Sequence, residues 1–389
     1  MKNKLRIFII IFFYFFLLSK SVNSNEPFIF NVTEIEILEN GNQINGYKGG
    51  TATSEDGTTI TAEKFFFNKL TNILEVTGDV KYLDILNDII ITSDKAIYLK
   101  NDEKIYTTGN SKAVNENNTI TASSLEYDKI KNIFKAKKNA VANDLEKETT
   151  IYADEITYLK NDDKVFTKGK TKALIENKYK FYSEDVSYFR NLGDLISQKE
   201  SSVEDDNGNI YKVKNFKYNI SKEILKGKEV QVLAKVEENK IDQYFFSEGF
   251  FNFKEKSHLA KETKIKTHKD VFGDKNQDPR MYGSSSFSDQ NKTVVNNGIF
   301  TSCKLNDNCP PWSIKAEKIT HDKIKKDMIY KNAILKIYDV PVLYFPKFFH
   351  PDPSVKRRSG FLQPQFNNSE NLGSSIYIPY FKTLGPDKI

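Results

Sequence analysis

The sequence predicts an all-β protein made of stacked, bent strand–turn–strand units. Three observations lead there. A short phrase recurs with a period near 30 residues, Thr, Ile, Val, Tyr and Phe dominate it, and no proline occurs between Phe28 and Asp278. Proline cannot donate to a β-ladder, so so long a proline-free stretch suits continuous strand pairing. A fixed period of this size marks stacked supersecondary units.

The first residues bear on compartment before fold. Lys2, Lys4 and Arg6 precede an unbroken apolar run from Ile7 to Leu18, and Val22-Asn23-Ser24 follows with small residues. This is the pattern of a secretory signal peptide, residues 1–24. The run is short of the roughly 20 residues that a spanning helix needs, although an uncleaved anchor is the alternative. Setting residues 1–24 aside removes four basic residues and no acidic ones, leaving 54 against 52. Near-neutral, interspersed charge gives no footprint for nucleic acid as a partner.

The repeat begins with Ile60-Thr61-Ala62-Glu63-Lys64-Phe65-Phe66-Phe67 and returns at 91–98, 120–127, 151–158, 181–188 and 211–218. Its closing aromatics, Phe67, Tyr98, Tyr127, Tyr158, Tyr188 and Tyr218, lie 29 to 31 residues apart. Turn residues such as Asn68-Lys69 and Lys160-Asn161-Asp162 follow, then second strands at 73–76, 105–108 and 165–167. Gly78, Gly109 and Gly169 each come eleven residues after an aromatic and are expected to close the unit with another turn. Within the phrase, Ile60 and Ala62 sit two apart on one face, as do Phe65 and Phe67. The gap of three between Ala62 and Phe65 breaks that phase, so a bend or bulge there brings both pairs to one concave side. The interior candidates are Ile60, Phe65, Phe67, Ala96, Tyr98, Leu125, Tyr127, Ile156, Tyr158, Val186 and Tyr188. They line an apolar trough or fill a solid core. The remaining ten prolines other than Pro27 all lie from Pro279 onward, which places a boundary near residue 280: repeats over 25–280, then a proline-rich segment over 281–355.

No catalytic constellation stands out. There is no Gly-x-Ser-x-Gly and no phosphate-binding glycine loop. His258, His268, His321 and His350 are scattered and lack ligand spacing, which reads as surface or loop histidines with no metal and no cofactor. Glu63, Asp94, Asp154 and Glu184 share one repeat position and read as a solvated stripe, while Ser284-Ser285-Ser286 has no base nearby in sequence. Cys303 and Cys309 are close enough for a local disulfide in an oxidising compartment, and a partner beyond residue 389 is the other option.

From residue 298 a motif string accumulates. It runs Gly298-Ile299-Phe300-Thr301-Ser302-Cys303, Pro311-Trp312-Ser313-Ile314-Lys315-Ala316-Glu317, Val340-Pro341-Val342-Leu343-Tyr344-Phe345-Pro346, Lys356-Arg357-Arg358-Ser359-Gly360-Phe361-Leu362-Gln363-Pro364 and Tyr377-Ile378-Pro379-Tyr380-Phe381. This succession resembles the LptD family of lipopolysaccharide-assembly proteins, and the repeat over 28–280 is similar to the OstA domain shared with the bridge protein LptA. The resemblance implies an OstA-type bent β-jellyroll in the periplasm, followed from about residue 356 by the first strands of a transmembrane β-barrel in the outer membrane. It implies no enzyme. Its ligand is lipopolysaccharide, and its partners are an LptA-like periplasmic bridge and an LptE-like lipoprotein. Pro364 and Pro379 match the two prolines of a lateral gate, with Lys356, Arg357 and Arg358 before it as phosphate contacts. Cys303 matches a family cysteine, but none precedes it here, which puts the family's usual disulfide pattern in doubt. Residues 356–389 supply two or three strands, where the smallest barrels need about 8, so the reading expects a fragment or a truncated product. A free bridge module like LptA would explain the repeat but not the motifs from Lys356 to Phe381. A secreted β-solenoid adhesin would lack the proline-rich segment.

Overall fold

The computed structural model describes residues 27–234, 240–272, 277–304, 311–352, 355, 359–361, 365–369 and 373–382. The signal-peptide segment 1–24 and Cys309, Lys356, Arg357, Arg358 and Pro364 lie outside the described residues. The fold is all-β, and helix among the described residues amounts to three short 3-10 turns. No helix among them is long and apolar enough to cross a membrane, a statement that does not bear on spanning strands.

Two compact units divide the chain, the first comprising residues up to Glu116 with Ser124–Ile130, the second Asn117–Ser123 with everything from Lys131. In the first unit the strands are β1 (Ile29–Leu38), β2 (Gln43–Thr53), β3 (Thr59–Ala62), β4 (Lys64–Asn68), β5 (Ile73–Asp84), β6 (Ile89–Leu99) and β7 (Lys104–Asn115). Strand β8 (Asn118–Asp128) contributes its start to the second unit and its end to the first. The second unit continues with β9 (Ile133–Asp144), β10 (Thr149–Leu159), β11 (Lys164–Ile175), β12 (Tyr179–Glu184), β13 (Ser187–Phe189), β14 (Asp194–Ser197), β15 (Ser201–Glu204), β16 (Ile210–Asn219) and β17 (Ile224–Ala234). Then come β18 (Asp242–Asn252), β19 (Ser257–Lys266), β20 (Arg280–Ser288), β21 (Lys292–Thr301), β22 (Trp312–Asp322), β23 (Asp327–Ile337) and β24 (Val340–Pro351). Short pairs β25 (Gly360–Phe361) with β28 (Tyr380–Phe381) and β26 (Gln365–Ser369) with β27 (Gly373–Tyr377) follow. Pairing is antiparallel and sequential wherever strands are long, as in β5–β6–β7 and β9–β10–β11.

The three-residue gap of the repeat is a bulge. Register slips between Thr77 and Val80, skipping Asp94 opposite, and again between Ala153 and Glu155, skipping Asp154 on both sides of β10. An extra residue bends the strand and increases its twist. Gly78, Gly109 and Gly169 sit at this point with φ of +84, +78 and +78, which corrects the expectation that they close turns. They lie inside β5, β7 and β11, which run 12 residues each, far longer than the three- and four-residue segments anticipated. The bulge needs a left-handed residue, which glycine supplies without a Cβ penalty. Glu63, Asp94, Asp154 and Glu184 at the bend are all exposed.

No interruption falls at residue 280, since β19 pairs β20 directly across it, Lys266 opposite Arg280. The later prolines respect the ladder by position. Pro279 and Pro311 come just before strands, and Pro341, Pro346 and Pro351 are all in β24, which pairs with β23 on one side. An outer strand has one row of N–H groups that no neighbour requires, so proline is tolerated there.

Candidate functional site

Each bulge divides its strands into two arms. One arm holds Ile60 and its register partner Tyr82, the other holds Leu74 and its partner Tyr98. In the first unit the arms meet face to face: Tyr82 and Tyr98 ring centroids are 5.9 Å apart, and Tyr82 and Tyr127 6.2 Å. Ile60, Phe65, Phe67, Ala96, Tyr98, Leu125 and Tyr127 all face this interior, none more than 2% exposed. In the second unit Ile156, Tyr158, Val186 and Tyr188 are likewise buried, and Phe181 packs across the arms on Tyr218 at 4.8 Å.

Polar clasps close the rim of each unit at equivalent places. In the first, Tyr127 donates to Asp84 at 3.3 Å, and Lys129 lies 3.9 Å from Asp84 and 2.5 Å from Asp56. Against the opposing effect of partial burial, Lys129, the Ser54 hydroxyl, the Thr58 backbone N–H and Lys100 hold the Asp56 carboxyl far below the usual range. In the second, Tyr188 donates to Asp144 at 3.2 Å, Arg190 Nε donates to the same carboxylate at 2.8 Å, and Arg190 also bonds Asp163. Burial beside Asp84 and Asp144 pushes the Tyr127 and Tyr188 hydroxyls well up, keeping them donors.

Further along the second unit Ile265, Met281, Phe300 and Met328 still pack against a core of Val295, Ala316, Ile319, Tyr330 and Ala333, but space opens between the arms. Tyr244, Ile265, Met281 and Phe300 form one register row across β18 to β21. Thr293, His321, Met328 and His350 form another across β21 to β24, with Val295, Ile319 and Tyr330 beside it. Between the two rows lies a cavity of about 440 Å³. Short side chains, Ser288 and Thr293, continue the register row that holds Tyr218 and Phe251 earlier in the unit.

This cavity corrects the expectation of scattered histidines. His268, His321 and His350 all line it, and His258 occupies the same register row as His321 and His350. His268 Nδ1 is 2.9 Å from Asp242, and His321 Nε2 is 2.6 Å from Asp352. His350 Nδ1 is 2.7 Å from the Pro351 carbonyl, which only accepts, so Nδ1 donates there, and Nε2 lies 3.0 Å from Tyr330 Oη. Burial pushes His258 down to about 4, with Lys323 adding to the effect. Among the described residues no group of histidine, cysteine or carboxylate has a metal-binding arrangement. A second correction concerns Ser286: His258 Nε2 lies 3.4 Å from its Oγ, across a register that sequence distance hides. That hydroxyl is also 2.8 Å from Thr263 Oγ1, and the pair is sealed inside at 1% exposure for Ser286.

The remaining candidates are spread out. Cys303 is half-buried, its Sγ 3.6 Å from the Trp312 carbonyl. Pro379 is half-buried, two residues past the end of β27. Asn367, Asn368 and Ser369, expected in a turn, lie within β26 and pair with β27, while Glu370 and Asn371 lie outside the described residues.

Fold and interior define the class: an all-β protein whose bent antiparallel strands bury apolar rows in each unit, the second unit also holding a cavity lined by apolar residues, histidines and Arg280. No family model matches the chain. Part of it is 38% identical over 95 residues to LPS-assembly protein LptD of Yersinia pestis bv. Antiqua, covering 24% of this chain and 12% of that protein. LPS-assembly protein LptD of Francisella tularensis subsp. novicida is 38% identical over 94 residues, 24% of this chain and 10% of the relative. The match therefore spans about a tenth of the relatives' length. Over that stretch the chain is similar to LPS-assembly protein LptD.

Proposed function

We propose that the chain serves lipopolysaccharide assembly, taking lipid acyl chains along the interior between its arms from the periplasm towards the outer membrane. The observation that carries this reading is the cavity between the two arms of β18–β24, in a chain similar over part of its length to LPS-assembly protein LptD. Hydrating one acyl chain of roughly 12 methylenes costs on the order of 10 kcal/mol, at ~0.8 kcal/mol each, so a shielded apolar path removes a large barrier. Ile265, Met281, Phe300 and Met328 supply apolar wall, while Arg280 and the histidines stand at the same cavity for polar atoms of an amphiphile.

Within each unit the buried residues, Ile60 to Tyr127 in the first and Ile156 to Tyr188 in the second, would take acyl chains once the arms part. An LptA-like bridge and an LptE-like lipoprotein are the partners this reading assigns, with no catalysis required. Lys356, Arg357, Arg358, Pro364 and Pro379 fit the exit, where prolines weaken a strand seam by removing ladder donors. The test is binding of fluorescent lipopolysaccharide to the purified chain and to a Met281→Glu variant. A charge in the cavity should weaken binding about tenfold or more. Equal affinity with an intact fold by circular dichroism would sink the proposal.

A further inference from the structure

The outer face of β18–β24 carries a second surface unrelated to the interior. Phe250, Leu259, Phe287, Val294, Ile329 and Phe349 lie on one register row, interrupted only by Thr320 in β22. All face away from the buried side, and Phe250, Leu259, Phe287 and Phe349 are 42%, 56%, 37% and 60% exposed. At about 4.8 Å per strand, seven strands make an apolar band roughly 30 Å long. Contiguous exposed apolar bands of this kind mark interaction sites.

Beside the band runs a basic row. Lys318, Lys331 and Lys347 are directly opposite one another in β22, β23 and β24, with Lys261 further along the row in β19. Like charges directly opposed across strands destabilise a sheet. Such a ladder is tolerable where an external anion meets it. Part of the row is already offset, with Glu317 3.4 Å from Lys331 and Glu248 3.2 Å from Lys261 and 3.5 Å from Lys226, so Lys318 and Lys347 are the charges left for an external anion. Glu262 is the further exposed acid at this bend. Lys226 also sits over the Phe250 ring at 4.8 Å, and Lys264 over Tyr282 at 5.4 Å. Lysines whose stems cover aromatic surface while their heads reach outward suit an interface that is apolar and anionic together.

We propose that this face docks on an anionic phospholipid surface, the apolar band entering the headgroup boundary and the lysine row meeting lipid phosphates. The inference is independent of what occupies the interior. The full chain should co-sediment with phosphatidylcholine–phosphatidylglycerol vesicles and not with phosphatidylcholine alone, and release as salt rises. A Lys318→Glu/Lys331→Glu/Lys347→Glu variant should lower the partition coefficient about tenfold or more. A control with the same charge change on exposed lysines elsewhere, Lys81→Glu/Lys95→Glu/Lys112→Glu, should bind as the native chain does. In a Phe287→Trp variant, brominated phosphatidylglycerol should quench fluorescence beyond the Trp312 background. Equal losses in both triple variants, no vesicle binding, or no added quenching would overturn the proposal. So would self-association through this face without vesicle binding, which would assign it to a second copy of the chain.

Discussion

Removing Arg190 should open the second unit at its rim. Its guanidinium reaches from the end of one arm to Asp144 at the end of the other, with side-chain exposures of 12% and 6%. Arg190→Met keeps the apolar stem and deletes the charge. It leaves the Asp144 carboxylate buried with only the Tyr188 hydroxyl at 3.2 Å among its interarm partners. Stripping one member from a buried pair costs about 3–5 kcal/mol, because the survivor keeps its desolvation penalty. Taking about 3 kcal/mol, amide exchange protection in β9 and β13 should fall roughly 100-fold, measured by hydrogen exchange with mass spectrometry. Arg190→Met combined with Asp144→Asn removes the orphaned charge, so it should cost less than Arg190→Met alone. If the single variant costs no more than the ~1 kcal/mol of an exposed pair, or the two changes simply add, the clasp does not hold the arms together.

Two further perturbations test particular parts of the account. His258 has a folded value near 4, below its ordinary 6.5, so its neutral form supports the fold fully above 6.5 and that support is lost as pH falls towards 4. The effect is worth about 3 kcal/mol, and an imidazole titration of His258 by NMR with a midpoint near 6.5 would refute it. Gly109→Ala forces a Cβ into a φ of +78 beside Asp94, and should destabilise the first unit by about 1–2 kcal/mol in urea unfolding, where an unchanged midpoint would contradict the bulge argument.

The repeat was legible because its signals are local. The aromatics and the three-residue gap between Ala62 and Phe65 lie within eight residues of each other and recur along the chain, and they foretold both the inward face and the bend. Gly78 and its equivalents were misread because a left-handed glycine serves a turn and a bulge alike, and only the pairing partner distinguishes them. The cavity histidines were hidden for a different reason. His268, His321 and His350 are far apart in sequence and come to one cavity only through the pairing of β19 to β24, which sets His321 and His350 on one register row with Met328 between them. One local signal was available: the small residues from Gly283 to Ser286, with Ser288, break the alternation of bulky inward side chains just where the arms separate.

The most direct test of the interior path places a photo-crosslinking residue at Met328, on the cavity, and separately at Lys331, exposed on the outer face of the same strand. Cells carrying the full-length gene should yield a lipopolysaccharide adduct from position 328 and none from 331. Equal capture at both positions, or capture at 331 alone, would contradict an interior route.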